Sequence, residues 1–154
     1  MSPSVELAAR YAETFAACWR EPDPERFLKR FCEAMTEDIR LEQPLIPASV
    51  GQAGFCAEFR RLRRFVPDLR GELKHWAWSG EYLFIELRLS GSLGRKQISW
   101  TLIDRLRLDE QGLCSERISY FDPLPLILSI CLTPSCWLRL LRSGMIPPLL
   151  RSLR

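Results

Sequence analysis

One mostly antiparallel sheet with helices packed on one side, an α+β domain, is the fold class this sequence predicts. Three observations predict it. Apolar residues recur at helical spacing in three stretches of the first half. From residue 69 onward they alternate with polar residues along four successive stretches. The connections between those four are short, which makes consecutive strands antiparallel neighbours. At 154 residues the chain fits one domain, large enough to bury about 70% of its unfolded surface without cross-links or metals.

In chain order, Ser2-Pro3 is a cap and first-turn pair, and Val5, Ala8, Ala12, Phe15 and Trp19 predict an amphipathic helix over 3–20. Glu21-Pro22-Asp23-Pro24 breaks it and caps a second helix striped by Phe27, Leu28 and Phe31. Ile39 and Leu41 alternate with Arg40 and Glu42 in a short strand that Pro44 and Pro47 stop, followed by a loop to Ser49. Over 51–66, Phe55, Phe59, Leu62 and Val66 return at helical intervals before Pro67. The other side of that helix carries Arg60, Arg61, Arg63 and Arg64. Cations in a last turn complement the helix dipole, and no aromatic is interleaved on the polar face, so the run reads as a solvated face.

Strands are expected over 69–78 and 82–90, separated from each other by Ser79-Gly80 and from the next strand by Ser90-Gly91-Ser92-Leu93-Gly94. The strongest signal is 96–123, KQISWTLIDRLRLDEQGLCSERISYFDP. There Ile98, Trp100, Leu102, Leu106 and Leu108 share one parity, and Ser99, Thr101, Arg105 and Arg107 the other. Asp109-Glu110-Gln111-Gly112 supplies the turn, and the return strand ends at Phe121-Asp122-Pro123 because proline has no N–H for a ladder.

Hydrophobic and charged fractions of 47% and 27% are ordinary for a soluble globular protein. A net charge of +3 is too small to argue for nucleic acid. Six cysteines, at 18, 32, 56, 114, 131 and 136, show no C-x-x-C spacing and read as reduced thiols of an intracellular, cytoplasmic protein. The opening MSPSVELAARYAE has no basic n-region or continuous apolar h-region, so no signal peptide is indicated.

The order of elements, with ARY in the first helix, DIRLEQP before the third, a helix leading to FVPDL, and IDRLRLDEQG followed by SYFDP, resembles the nuclear transport factor 2-like superfamily. Its SnoaL-like members, similar to polyketide cyclases and ketosteroid isomerases, are the nearest comparison, over residues 5–123. The resemblance implies a strongly curved sheet wrapped into a cone, three helices closing its wide end, and an apolar pocket for a small organic molecule. It implies a cone domain over 1–123 and chemistry without a cofactor, and a homodimer is the expected assembly.

Matched onto the isomerase pattern, Tyr11 keeps the tyrosine of the ARY motif, Gln43 stands where the base aspartate would be, and Thr101 where the second acid would be. An amide cannot abstract a proton, and a threonine hydroxyl donates far less well than a buried carboxylic acid, so that route does not carry over. The epoxide-hydrolase pattern would put its aspartate near Ser119 and fails likewise. A polyketide-cyclase-like reading survives, with one aspartate moving a proton at an enolisable carbon. Asp122 is the first candidate and Asp104 the second, with Tyr11 steadying the enolate oxygen.

Each has a structural alternative. Asp122 before Pro123 is also a strand-end cap, Asp104 is also a buried acid paired with a nearby arginine, and Tyr11 is also a surface helix residue. His75, the only histidine, shares a strand face with Leu73 and Ala77 and is either core or cavity. Trp100 and Phe121 complete the expected pocket lining with His75, Thr101 and Gln43. One histidine and scattered cysteines form no recognisable metal spacing.

Residues 124–154 form an apolar, basic helical extension broken at Pro134 and too short to span a membrane. It is expected to act as a lid, as a dimer contact or, less favoured, as a membrane-surface segment. Two function classes stay open: a cofactor-independent cyclase or isomerase, and a non-catalytic module binding a small apolar ligand or a protein.

Overall fold

The computed structural model describes residues 4–146. The expected pair Ser2-Pro3 and the end of the extension, 147–154, lie outside them. Helices α1 (Val5–Trp19) and α2 (Pro24–Glu33) lead into strand β1 (Met35–Gln43), then β2 (Ile46–Val50) and helix α3 (Gln52–Phe65). Strands β3 (Arg70–Trp78), β4 (Leu83–Leu93), β5 (Lys96–Leu108) and β6 (Cys114–Tyr120) follow. Helix α4 (Leu124–Cys131), a 3₁₀ turn (Pro134–Cys136) and helix α5 (Trp137–Ser143) complete the chain.

The fold is α+β: one curved, mixed sheet of six strands in the order β2-β1-β6-β5-β4-β3. The expected meander is present from β3 to β6, and it brings β6 back beside β1 in parallel pairing while every other pair is antiparallel.

Two expectations are corrected. The region after Gln43 is not a loop but a hairpin, turning at Pro44-Leu45 with Leu45 at φ +70°. Pro47 fits because β2 is a sheet edge, where a missing N–H breaks no ladder, and Pro44 sits in the turn itself. Likewise β4 does not stop at Ser90. It runs to Leu93, with Gly91 paired to Ile98 and Leu93 to Lys96. Gly91 marks a close approach rather than a turn: a Cβ there would lie 2.3 Å from Val66 Cγ1.

Ser4 caps α1, its Oγ accepting from Leu7 N–H at 3.3 Å, and Asp23 caps α2, accepting from Arg26 N–H at 2.9 Å. Ser4→Ala is expected to cost about 1 kcal/mol of stability, read as a lowered urea midpoint with unchanged slope. The buried faces of α1 and α2 contribute Ala8, Tyr11, Phe15, Cys18, Phe27 and Phe31, and α3 contributes Phe55 and Phe59. Phe27 stacks on Phe59 at 4.1 Å between ring centroids, and Phe31 meets Phe15 edge-on at 5.3 Å. Three of the four arginines of α3 are taken up locally. Arg60 pairs with Glu25 at 2.7 Å, Arg61 with Glu58, and Arg63 donates to Leu69 O at 2.5 Å.

The parity expected for β5 holds, with Ile98, Leu102, Asp104, Leu106 and Leu108 buried and Thr101 and Ile103 exposed. After Tyr120 the chain folds back over the sheet. Leu126 and Ile130 of α4 and Leu140 of α5 pack against the core, while Arg139 donates to Ser92 O at 3.1 Å. Among the described residues no single helix is long and apolar enough to cross a membrane.

Candidate functional site

Between the inner sheet face and the helices lies a cavity of about 130 Å³. Its walls are largely aromatic and aliphatic: Trp19, Phe27, Phe31, Phe55 and Phe59 from the helices, Leu89, Trp100 and Leu102 from the sheet. Leu126, Ile130, Leu140 and Met145 close it from the C-terminal segment. The polar lining includes Arg117 and Ser119 of β6, Glu58 of α3, and Glu42 and Gln43 of β1.

Strand register builds the polar wall. Pairing of β5 with β6 sets Asp104 opposite Ser119 and Leu106 opposite Arg117, so Asp104 meets both polar side chains on one face. Asp104 is fully buried. Ser119 Oγ donates to its Oδ1, and Arg117 Nη2 lies 3.1 Å from Oδ2. That second contact is an ion pair more than a directed hydrogen bond, since neither Asp104 Oδ2 nor Arg117 Nε satisfies hydrogen-bond geometry with any partner. Burial works against the charge on Arg117, but the carboxylate of Asp104 outweighs it and raises the guanidinium's pKa. The cavity wall therefore holds a guanidinium that stays protonated, paired with the Asp104 carboxylate behind it.

Tyr11 is buried close to Cys114, whose thiol donates to Glu116 O at 3.3 Å. Burial first, and Cys114 second, raise the Tyr11 pKa well above its ordinary value. Burial likewise pushes the Cys114 thiol up to about 12. Both groups are neutral donors at physiological pH.

Of the residues expected at the site, Gln43, Trp100 and Phe121 line the cavity. Asp104 sits behind its wall, joined to it through Arg117 and Ser119, and Tyr11 is buried in the core outside the lining. Three lie elsewhere. Thr101 is exposed because it takes the parity opposite Trp100 and Leu102. Asp122 is exposed, and its Oδ1 accepts from Leu124 N–H at 3.0 Å, the capping alternative. His75 is exposed because a register shift between Leu73 and His75 removes it from the face that Leu73 occupies.

Glu58 and Arg117 were missed. Glu58 falls with Phe55, Phe59 and Leu62 at i, i+3, i+4 and i+7 spacing, so a carboxylate within an apolar stripe was the available signal. Its Oε1 accepts from Arg61 Nη1, and its Oε2 is buried with no hydrogen-bond partner among the described residues. No group of three or more His, Cys, Asp or Glu among the described residues could hold a metal.

A SnoaL-like domain model matches residues 12–117. The chain belongs to the SnoaL-like family. Solved SnoaL-like folds agree with it. A candidate SnoaL-like polyketide cyclase from Jannaschia sp. CCS1 superposes with a TM-score of 0.68 at 19% identity, covering 79% of this chain and 92% of its own. A candidate isomerase of the SnoaL-like family from Agrobacterium tumefaciens gives 0.62 at 24% identity, covering 76% and 98%. TerC, crystallised with polyporic acid, gives 0.65 at 13% identity, covering 82% and 96%. No curated protein matches the sequence significantly. This SnoaL-like chain thus has the fold class expected from its sequence.

Proposed function

We propose that the cavity binds a small apolar carbonyl compound and moves a proton at its enolisable carbon, as in cyclase and isomerase chemistry without a cofactor. One observation carries the reading: the buried guanidinium of Arg117 faces a mostly apolar cavity, with an Nε–H that no group among the described residues accepts. A charged donor in such a place matches an oxygen that gains negative charge. Glu58 Oε2, buried on the same cavity with no hydrogen-bond partner among the described residues, is the proton acceptor. The carbon–hydrogen bond breaks toward Glu58, the electron pair moves onto the carbonyl oxygen, and the Arg117 guanidinium stabilises the enolate. Return of the proton at another carbon completes an isomerisation. Attack of the enolate carbon on a second carbonyl closes a ring, and the new alkoxide takes the proton. Asp104 is a positioning residue that holds the guanidinium in place.

The measurement is deuterium exchange at the α-carbon of a panel of β-dicarbonyl compounds, followed by NMR. Glu58→Gln is expected to slow enzyme-dependent exchange by roughly a hundredfold or more while leaving binding within a few-fold, whereas Arg117→Met weakens both. Asp122→Asn, at a side chain that caps α4, is expected to retain wild-type exchange. Equal rates for wild type and Glu58→Gln would remove that carboxylate from the mechanism. A binding module without turnover is the second reading, favoured by the engagement of both Asp104 oxygens within the protein. It predicts saturable binding that Arg117→Met abolishes, with no exchange in any variant.

A further inference from the structure

The C-terminal segment has two apolar sides, and only one is accounted for by the cavity. Leu126, Ile130 and Leu140 turn inward. On the outer side Leu124, Leu128 and Leu132 recur at i, i+4 and i+8, and Trp137, Leu138 and Leu141 continue the exposed surface along α5. These six side chains are 49–75% exposed. They form far more than the scattered apolar exposure of an ordinary surface.

The charges that the segment's own sequence carries have one sign. The sequence from 124 to 154 contains arginine at 139, 142, 151 and 154 and no Asp or Glu. The β4–β5 turn adds Arg95 and Lys96 beside it: Lys96 Nζ lies 3.5 Å from Ser129 Oγ, and Gly94 abuts Ser135. Among the described residues Arg95, Lys96, Arg139 and Arg142 form no salt bridge. A second copy of the chain seated face to face would bring these cations together without counter-charge. The bend of 89° between the two helices suits a segment lying along a surface better than one crossing a bilayer.

We propose that the outer face of α4 and α5 docks the protein on an anionic lipid bilayer, with the leucines and Trp137 entering the headgroup boundary and the flanking cations contacting lipid phosphates. This surface is separate from the cavity chemistry proposed above and stands without it. Docking also sets the segment that closes the cavity against the membrane, where an apolar ligand partitions.

The test is sedimentation of the full chain with phosphatidylcholine vesicles, with and without added phosphatidylglycerol. Wild type is expected to pellet with the anionic vesicles and to show a blue shift in tryptophan emission that Trp137→Phe diminishes. Leu128→Ser/Leu132→Ser/Leu138→Ser/Leu141→Ser changes only exposed side chains, so it is expected to keep the wild-type circular dichroism and lose the pelleting. Arg95→Gln/Lys96→Gln/Arg142→Gln is expected to weaken binding to anionic vesicles by about fivefold per cation removed. Overturning results are wild type that stays in the supernatant, or pelleting that the quadruple leucine variant keeps. Light scattering that shows a wild-type dimer and a monomeric leucine variant, with no lipid effect, would assign the face to a second copy instead.

Discussion

Asp104→Leu is expected to destabilise the protein by about 3–5 kcal/mol, because it leaves the guanidinium of Arg117 in the protein interior with no counter-charge. The Arg117 side chain is 13% exposed and that of Asp104 is 0%, so solvent cannot replace the lost partner. Urea denaturation reads the effect as a large fall in midpoint with little change in slope. The double variant Asp104→Leu/Arg117→Met is expected to recover most of the loss, since apolar residues of similar volume often replace a buried ion pair without penalty. The two variants then separate stability from function. The double variant folds well and binds no carbonyl ligand. A single variant as stable as wild type would mean that the pair contributes little to holding β5 and β6 together.

Phe31→Ala is expected to cost a similar amount, about 3–5 kcal/mol. Phe31 is 1% exposed and touches rings on three helices, with centroids 5.3 Å from Phe15, 4.5 Å from Phe27 and 5.7 Å from Phe55. It also lines the cavity. Truncation therefore joins the vacated space to the existing hollow instead of letting neighbours collapse into it. Its companion readout is selectivity. The variant is expected to bind larger apolar probes relative to wild type, by fluorescence displacement, even as its thermal midpoint falls. Unchanged size preference would show that the Phe31 wall does not set the ligand's dimensions.

The fold was legible because its information is local. Alternation in β5, the helical stripe through Phe55, Phe59 and Leu62, and the proline and glycine breaks each report their own element. Errors arose where meaning depends on a partner strand. Gly91 reads as a turn until Val66 is placed against it, and Pro47 reads as a terminator until β2 is known to be an edge. At the site the same limit applies. Asp104, on the apolar parity of its strand, was visible as an unusual acid, but its partners come from β6 and are fixed by register. His75 was misplaced because one register shift in β3 changes which face a side chain occupies. Glu58 needed only the helical count, and was hidden by the four arginines around it.

The order of strands in space has a consequence for how the molecule comes together. Strand β6 is the last in sequence, yet it lies inside the sheet between β1 and β5. Until it inserts, two ladders stand open, and the guanidinium and hydroxyl of the polar wall are missing. Joining residue 41 to residue 117 is a long loop closure, which slows folding relative to a simple meander. A nascent chain released before that strand emerges would offer unpaired edges to its neighbours, the usual route to aggregation.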